Sequence, residues 1–272
     1  MAPAAPLIRL VIIGASGRMG QALLQSAAKS PQLIVTGAIA SPDSLALGRD
    51  AGALAGVGPL NLEVSADLPA ALERADVAVD FSRAEGVGAH LSACRQAGKP
   101  LLIGVTGYGR ELEPQLDAAA REIALLVAPN TSVGVAVLLE LTRQAAQVLP
   151  RGFDIDIVDL HHRHKADAPS GTALALGRAA AEGRDLHFSA PAAPEQGTRG
   201  PDGIGYAVLR AGDQVGEHTV LFSGSGEELA LRHRAEDRAI FARGALAAAT
   251  WLTGARPGRY GMRDFLGFKT VT

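Results

Sequence analysis

One cysteine, Cys94, stands in 272 residues, so no intramolecular disulfide forms and no set of thiolates can cage a metal. That usage fits a reducing compartment. Aromatic residues make up only 4%, too few for a platform that stacks single-stranded nucleic acid. A dominant charge is missing too: 26 Lys and Arg offset 28 Asp and Glu for a net of -2, without the basic excess of a dedicated nucleic-acid binder. The longest charge-free stretch, Ile123 to Leu139, is broken by Pro129, Asn130, Thr131, Ser132 and Gly134 and falls short of the roughly 20 apolar residues of a membrane span. Met1 to Leu10 has no basic segment ahead of its apolar run and predicts neither a signal nor a transit peptide. The expectation is a soluble protein, cytoplasmic or in an organelle whose targeting segment has been lost, of ordinary composition, 47% hydrophobic and 20% charged, and long enough for two domains.

The chain opens with an apolar strand, Leu7 to Ile13, a glycine turn at 14–20, a helix through Gln21, Leu24 and Ala28, and a second strand, Leu33 to Ala40. Strand, turn, helix, strand is the start of a doubly wound parallel sheet. The pattern continues with strands at Val77–Asp80, Leu101–Ile103 and Ala124–Ala128, and helices at Ala84–Ala97, up to Glu122, and at Ser132–Val148. Alternation of this kind implies a Rossmann-like α/β domain with helices on both faces. After Pro150 the character changes. Asp154, Asp156 and Asp159 interleave with Ile155, Ile157 and Val158, which predicts a half-exposed strand, followed by a helix from Ser170. A Gly- and Pro-rich loop runs from Glu182 to about Gly203, long enough to predict closure over a ligand. Three short strands follow at 204–210, 217–222 and 228–233, read as a meander, and a last helix, Ala239–Leu252, stops at Gly254 with Pro257 beyond. The expected division is a first domain over 1–131, joined by 242–272, and a second α+β domain with a mixed or antiparallel sheet over 132–241.

In Gly14-Ala15-Ser16-Gly17-Arg18-Met19-Gly20, Gly14 permits a tight turn, Gly17 lets a diphosphate approach the helix N-terminus, and Gly20 lets the helix lie on the strand. Ser16 stands where the usual dinucleotide fingerprint has its second glycine. An NAD-selective site places an acid at the tip of the second strand, but here the chain reads Ala40-Ser41-Pro42-Asp43. Asp43 reaching back would suit NAD, and Ser41 with Arg18 would suit a 2′-phosphate, so the choice stays open.

Three of the seven histidines fall within His161-His162-Arg163-His164-Lys165, followed by Asp167 and Pro169-Ser170-Gly171-Thr172. A cation cluster beside a helix capped by Ser170, with the Gly171 and Thr172 N–H groups facing out, reads as a dicarboxylate site. His161, His162 and His164 could ligate a metal, but Arg163 and Lys165 would repel a dication, and no metal is expected. His90, His187, His218 and His233 read as packing or surface residues, and Cys94 as a core thiol.

Taken together, the 14–20 turn, Asp80-Phe81-Ser82, Gly104-Val105-Thr106-Gly107, Ala128-Pro129-Asn130-Thr131-Ser132-Val133-Gly134 and His161 to Thr172 resemble the 4-hydroxy-tetrahydrodipicolinate (dihydrodipicolinate) reductase family. Its run E-x-H-H-x-x-K-x-D-x-P-S-G-T is met with Asp159 in place of the Glu, and the likeness extends through Ala211-Gly212-Asp213, Gly216-Glu217-His218-Thr219 and Met262-Arg263-Asp264. The resemblance implies reduction of a cyclic dicarboxylate by NADPH or NADH in lysine biosynthesis, with loss of water, by a cytoplasmic homotetramer. It implies that Gly14, Ala15, Ser16, Gly17, Arg18 and Met19 hold the cofactor diphosphate. Phe81, Gly104, Val105, Thr106, Ala128, Pro129, Asn130 and Thr131 would complete the cofactor site. His162, Gly171 and Thr172 would hold the substrate carboxylates, and His161 and Lys165 would be the proton-transfer pair. Along a continued strand those two would stand about 13 Å apart, so a turn after His162 is required. The rival readings are a related semialdehyde or amino-acid dehydrogenase, which in the acylating case needs a thiolate, and a non-catalytic NAD(P)H sensor.

Overall fold

The computed structural model describes residues 7–190, 200 and 202–268. The chain divides into two compact units, Met1–Ser132 with Ala239–Thr272, and Val133–Arg238. In chain order the first unit begins with β1 (Ile8–Ile13), α1 (Arg18–Ala27), β2 (Leu33–Ile39), α2 (Ala51–Ala55), β3 (Val64–Ser65) and α3 (Leu68–Glu73). It continues with β4 (Val77–Asp80), α4 (Val87–Gln96), β5 (Leu101–Ile103), α5 (Glu113–Ala120) and β6 (Ala124–Val127). The second unit holds α6 (Val133–Val148), β7 (Asp154–His161), α7 (Gly171–Gly183), β8 (Ile204–Arg210), β9 (Gly216–Gly224) and β10 (Glu227–Ala235). The chain then returns to the first unit with α8 (Ala239–Leu252), β11 (Gly258–Tyr260) and α9 (Met262–Phe265).

Among the described residues the first unit is a parallel seven-stranded sheet in the order β11-β6-β5-β4-β1-β2-β3. Leu10 to Ile13 of β1 and every residue of β4 and β5 are buried, as central strands covered on both faces must be. On α1, Gly20, Leu23, Leu24 and Ala27 are buried, the i, i+3, i+4, i+7 stripe of an amphipathic helix. The alanine-rich α8 packs on α1 and across β4 and β5. Its small buried residues, such as Ala245, Ala248 and Ala249, let the helix approach closely. The stretch after the second strand, which the sequence reading left without elements, holds α2, β3 and α3.

The second unit carries a four-stranded mixed sheet ordered β10-β9-β7-β8, covered by α6 and α7. Its core gathers Ile155, Ile157, Val220 and Phe222 from the sheet with Leu138 and Leu176 from the helices. The strands at 204–210, 217–222 and 228–233 form, but not as a meander. β8 crosses to the far side of β7 and pairs with it in parallel, while β9 runs antiparallel to both β7 and β10. The half-exposed reading of β7 also needs correction at one residue: Asp159 is fully buried, on the face it shares with Ile155, Ile157 and His161. The centre of the predicted closing loop, 191–199 and 201, lies outside the described residues. No helix among the described residues is long and apolar enough to cross a membrane.

Candidate active site

At the carboxyl edge of the parallel sheet, successive strand ends are tied side by side. Phe81 N–H donates to Ile13 O at 3.0 Å, Gly104 N–H to Asp80 O at 2.9 Å, and Ala128 N–H to Ile103 O at 2.9 Å. The turns that follow β1, β4, β5 and β6 therefore line one edge, and the strand order reverses between β1 and β4, where ligands of open α/β sheets bind.

Gly14 has φ +84°, and a Cβ there would stand 2.7 Å from Phe81 O and 2.8 Å from Ser82 N. A Cβ on Gly20 would stand 2.2 Å from Gly14 O, so α1 lies directly on the turn. Gly17 is the N-cap of α1 and offers no side-chain cap, which leaves the helix N-terminus open to an anion. A cleft of about 570 Å³ joins Arg18 and Met19 to Phe81–Glu85 and Gly104–Thr106. The Phe81 ring lies over Gly104, where a Cβ would meet its Cε1 at 2.2 Å. The buried Asp80 carboxylate clamps this turn: Oδ1 accepts from Ser82 N–H at 2.9 Å and Oδ2 lies 2.8 Å from His90 Nδ1. Next along the edge, Asn130 Oδ1 accepts from Ser132 N–H at 2.9 Å and Thr131 Oγ1 donates to Phe241 O at 2.7 Å, which fixes the 128–131 turn without placing it in the cleft's lining. Near the tip of β2, Ser41 holds the exposed Asp43 carboxyl below its ordinary value, with Arg83 adding to the effect.

In the second unit, β7 ends at His161 and the chain turns at once. Lys165 N–H donates to His162 O at 3.1 Å, and Arg163 N–H to Gly212 O at 3.1 Å. The turn that the spacing of His161 and Lys165 requires is present. Lys165 Nζ pairs with Asp167 Oδ1 at 2.8 Å. Ser170 caps α7, accepting from Ala173 N–H at 3.2 Å, and nothing lies within 4 Å of the place a Gly171 Cβ would take. Partial burial, and then the neighbouring Arg238, His161, His164 and Lys165, push the His162 imidazole below its ordinary value.

The residue that organises this cluster is Asp159. Its Oδ1 lies 2.8 Å from His161 Nδ1 and 3.4 Å from His218 Nε2, while Oδ2 accepts from Ser170 N–H at 2.8 Å and Arg210 Nη2 at 3.1 Å. Burial alone would raise this carboxyl, but the donors His161, His218 and Ser170 outweigh it and hold it well below the carboxylate range. His161 and His218 stack edge to face at 5.1 Å. His161, His218 and Asp159 also bring their ligand-capable atoms within 4.8 Å of one another, so the histidines that converge are not the His161, His162 and His164 set weighed from spacing. His218, read from sequence as a packing residue, and Arg210, not singled out at all, are part of the site. The signal that could have found them is strand register, which sets His218 and Arg210 opposite Asp159 and His161. Cys94 is buried, and that burial, with Asp80 adding, pushes its thiol up to about 12, so it is not the thiolate that an acylating dehydrogenase needs.

The family model described as dihydrodipicolinate reductase, N-terminus, matches residues 8–131, and the one described as dihydrodipicolinate reductase, C-terminus, matches residues 134–266. A 4-hydroxy-tetrahydrodipicolinate reductase of Alkalilimnicola ehrlichii is 49% identical over 95% of this chain and 98% of its own length. One from Thiobacillus denitrificans is 47% identical over 96% of this chain and 99% of its own length. Among solved structures, a dipicolinate-bound dihydrodipicolinate reductase from Paenisporosarcina sp. TG-14 superposes with a TM-score of 0.78 at 24% identity, over 95% of this chain and 99% of that one, a likeness of fold.

Proposed function

This chain belongs to the dihydrodipicolinate reductase family, and we propose that it reduces 4-hydroxy-tetrahydrodipicolinate to tetrahydrodipicolinate with NADH or NADPH, losing the 4-hydroxyl as water, on the diaminopimelate route to lysine. The observation that carries this reading is the end of β7: an imidazole backed by a buried carboxylate, one turn from a lysine, beside a serine-capped helix N-terminus.

We assign the cofactor to the domain of 1–131 and 242–272, and substrate and assembly to 132–241. Gly14 to Met19 fit a dinucleotide diphosphate, because the bare Gly17 cap leaves backbone N–H groups for it. Phe81, Gly104 to Thr106 and Ala128 to Thr131 fit the nicotinamide end, on turns that share one sheet edge. What the dinucleotide supplies there is a hydride, delivered to C4 of the substrate. His162 and the N–H groups of Gly171 and Thr172 hold the two carboxylates, in surroundings made cationic by Arg163, Lys165 and Arg238. Hydride addition leaves negative charge on the conjugated carbon–nitrogen system, and His161 with Lys165 holds and delivers the proton that neutralises it.

The expected assembly is a homotetramer built on the second unit, whose sheet exposes Val208 and Leu209 on β8 and Leu229 on β10; light scattering reads the mass directly. A reduced, buried Cys94 and a diffusible nicotinamide cofactor suit a cytoplasmic setting.

The function is tested by following NADH and NADPH oxidation at 340 nm, with substrate made in place from pyruvate and aspartate semialdehyde by the preceding synthase. Wild type oxidises cofactor only with substrate present, and Lys165→Ala loses at least about 100-fold in rate. Tight nucleotide binding without oxidation of either cofactor would overturn the reading in favour of a sensor or a different substrate.

A further inference from the structure

We propose that Asp159 is the positioning residue of the proton-transfer site: its carboxylate holds His161 as the Nδ1–H tautomer, aims Nε2 away from the protein's own acceptor, and ties that imidazole to the N-terminus of α7 through Ser170. The inference rests on the reading of His161 as a proton-transfer group and extends it to residues that play no part in that reading.

Asp159 and His161 are two residues apart on β7 and buried on the same face, as the alternation of a strand requires. The two carboxylate oxygens serve different masters. Oδ2 accepts from the Ser170 N–H at 2.8 Å and Arg210 Nη2 at 3.1 Å, both of which can only donate. Oδ1 is left for the imidazoles, with His161 Nδ1 at 2.8 Å, an ion-pair approach that meets the distance but not the angle of a hydrogen bond. A carboxylate accepts only, so the nitrogen facing it carries the proton and Nε2 is the nitrogen left to exchange one. A Cβ on Gly216 would come within 2.8 Å of Nε2, so glycine there leaves room for that nitrogen.

The remaining sides are closed by the neighbouring strands. His218 stands opposite Asp159 in the β7–β9 register, with Nε2 3.4 Å from Asp159 Oδ1 and 3.1 Å from Ser170 Oγ. Arg210 stands opposite His161 in the β7–β8 register and donates to both Asp159 Oδ2 and the Asp167 carbonyl, the latter at 2.6 Å. The charged and titratable groups facing His161 are therefore Asp159, His218 and Arg210, with His162 next along the chain. One carboxylate thus fixes the imidazole, the helix cap and the 167–170 segment together, so that acid and anion site keep one geometry.

The test is Asp159→Asn with Asp159→Glu beside it. In Asp159→Asn the donors at Oδ2 keep the amide oxygen there, so the NH₂ group turns toward His161 Nδ1 and forces the opposite tautomer. The expected result is a kcat lower by at least about 100-fold, with KM values for cofactor and substrate within about 3-fold. Asp159→Glu, which restores the carboxylate, recovers most of the rate. Wild-type kcat in a folded Asp159→Asn overturns the proposal. Should the variant not fold, ¹H–¹⁵N NMR of the histidines in the wild-type protein decides the matter: an Nδ1–H tautomer for His161 at high pH supports it, and an Nε2–H tautomer overturns it. An unchanged rate in His161→Ala would sink the catalytic reading alone, whatever tautomer the spectra show.

Discussion

Replacing Gly14 with alanine isolates what the first turn contributes. The residue sits at φ +84°, a left-handed conformation that costs a residue with a Cβ roughly 1–2 kcal/mol. The new Cβ would also stand 2.7 Å from Phe81 O, so ordinary contact at 3.4 Å requires the 81–82 backbone to retreat by about 0.7 Å in an interior that resists it. Overpacking of this kind costs about 1–3 kcal/mol, for a total of about 2–5 kcal/mol. At about 2–4 °C per kcal/mol for a domain of this size, the first unit should melt about 4–20 °C lower. Because the displaced turn lines the cleft with Arg18 and Gly104, dinucleotide affinity should fall at least about 10-fold. Gly56 is the control: it has φ +74° with nothing within 4 Å, so Gly56→Ala carries the backbone cost alone and leaves the cofactor untouched. Calorimetry for melting and fluorescence titration of NADPH read both effects. Equal melting and equal affinity in the two variants would refute the close-approach reasoning.

Two further expectations concern buried titratable groups, Asp159 held down by its donors and Cys94 pushed up by its burial. The Asp159 carboxyl titrates in the folded state below its unfolded value of about 3.9, so the folded state binds fewer protons. Its stabilisation is present above that value and is lost as pH falls through the folded one. The urea midpoint should therefore drop between about pH 5 and pH 3 more steeply in wild type than in Asp159→Asn, and identical slopes would count against the assignment. Cys94, with its thiol pushed up to about 12, has a thiolate fraction on the order of 10⁻⁴ at pH 8. Ellman's reagent should label it only as the protein unfolds, and prompt labelling of the native protein would contradict its burial.

Much of this protein was legible in its residues, because the information is local. The apolar run Leu10 to Ile13 reads as a strand covered on both faces, and a glycine turn leading into Gln21, Leu24 and Ala28 reads as a helix packed on that strand. The family followed from short motifs for the same reason: the chemistry of a strand-end cation cluster beside a capped helix is written within a dozen residues. The stretch from Ser41 to Asp76 was opaque because α2, β3 and α3 are too short to show a period.

Only the tertiary structure decided the rest. The crossover that lays β8 parallel to β7, instead of continuing a meander, depends on which edge a distant segment finds, and hydrophobic alternation is the same in either case. The direction of Asp159 was likewise invisible, since a carboxylate in an alternating strand is ordinarily solvated and goes inward only when donors await it. Those donors come from Ser170, Arg210 and His218, separated along the chain and made neighbours by strand register. Sequence set the cation cluster and the capped helix side by side at 161–172, and the pairing of β7, β8 and β9 decided which distant side chains meet Asp159.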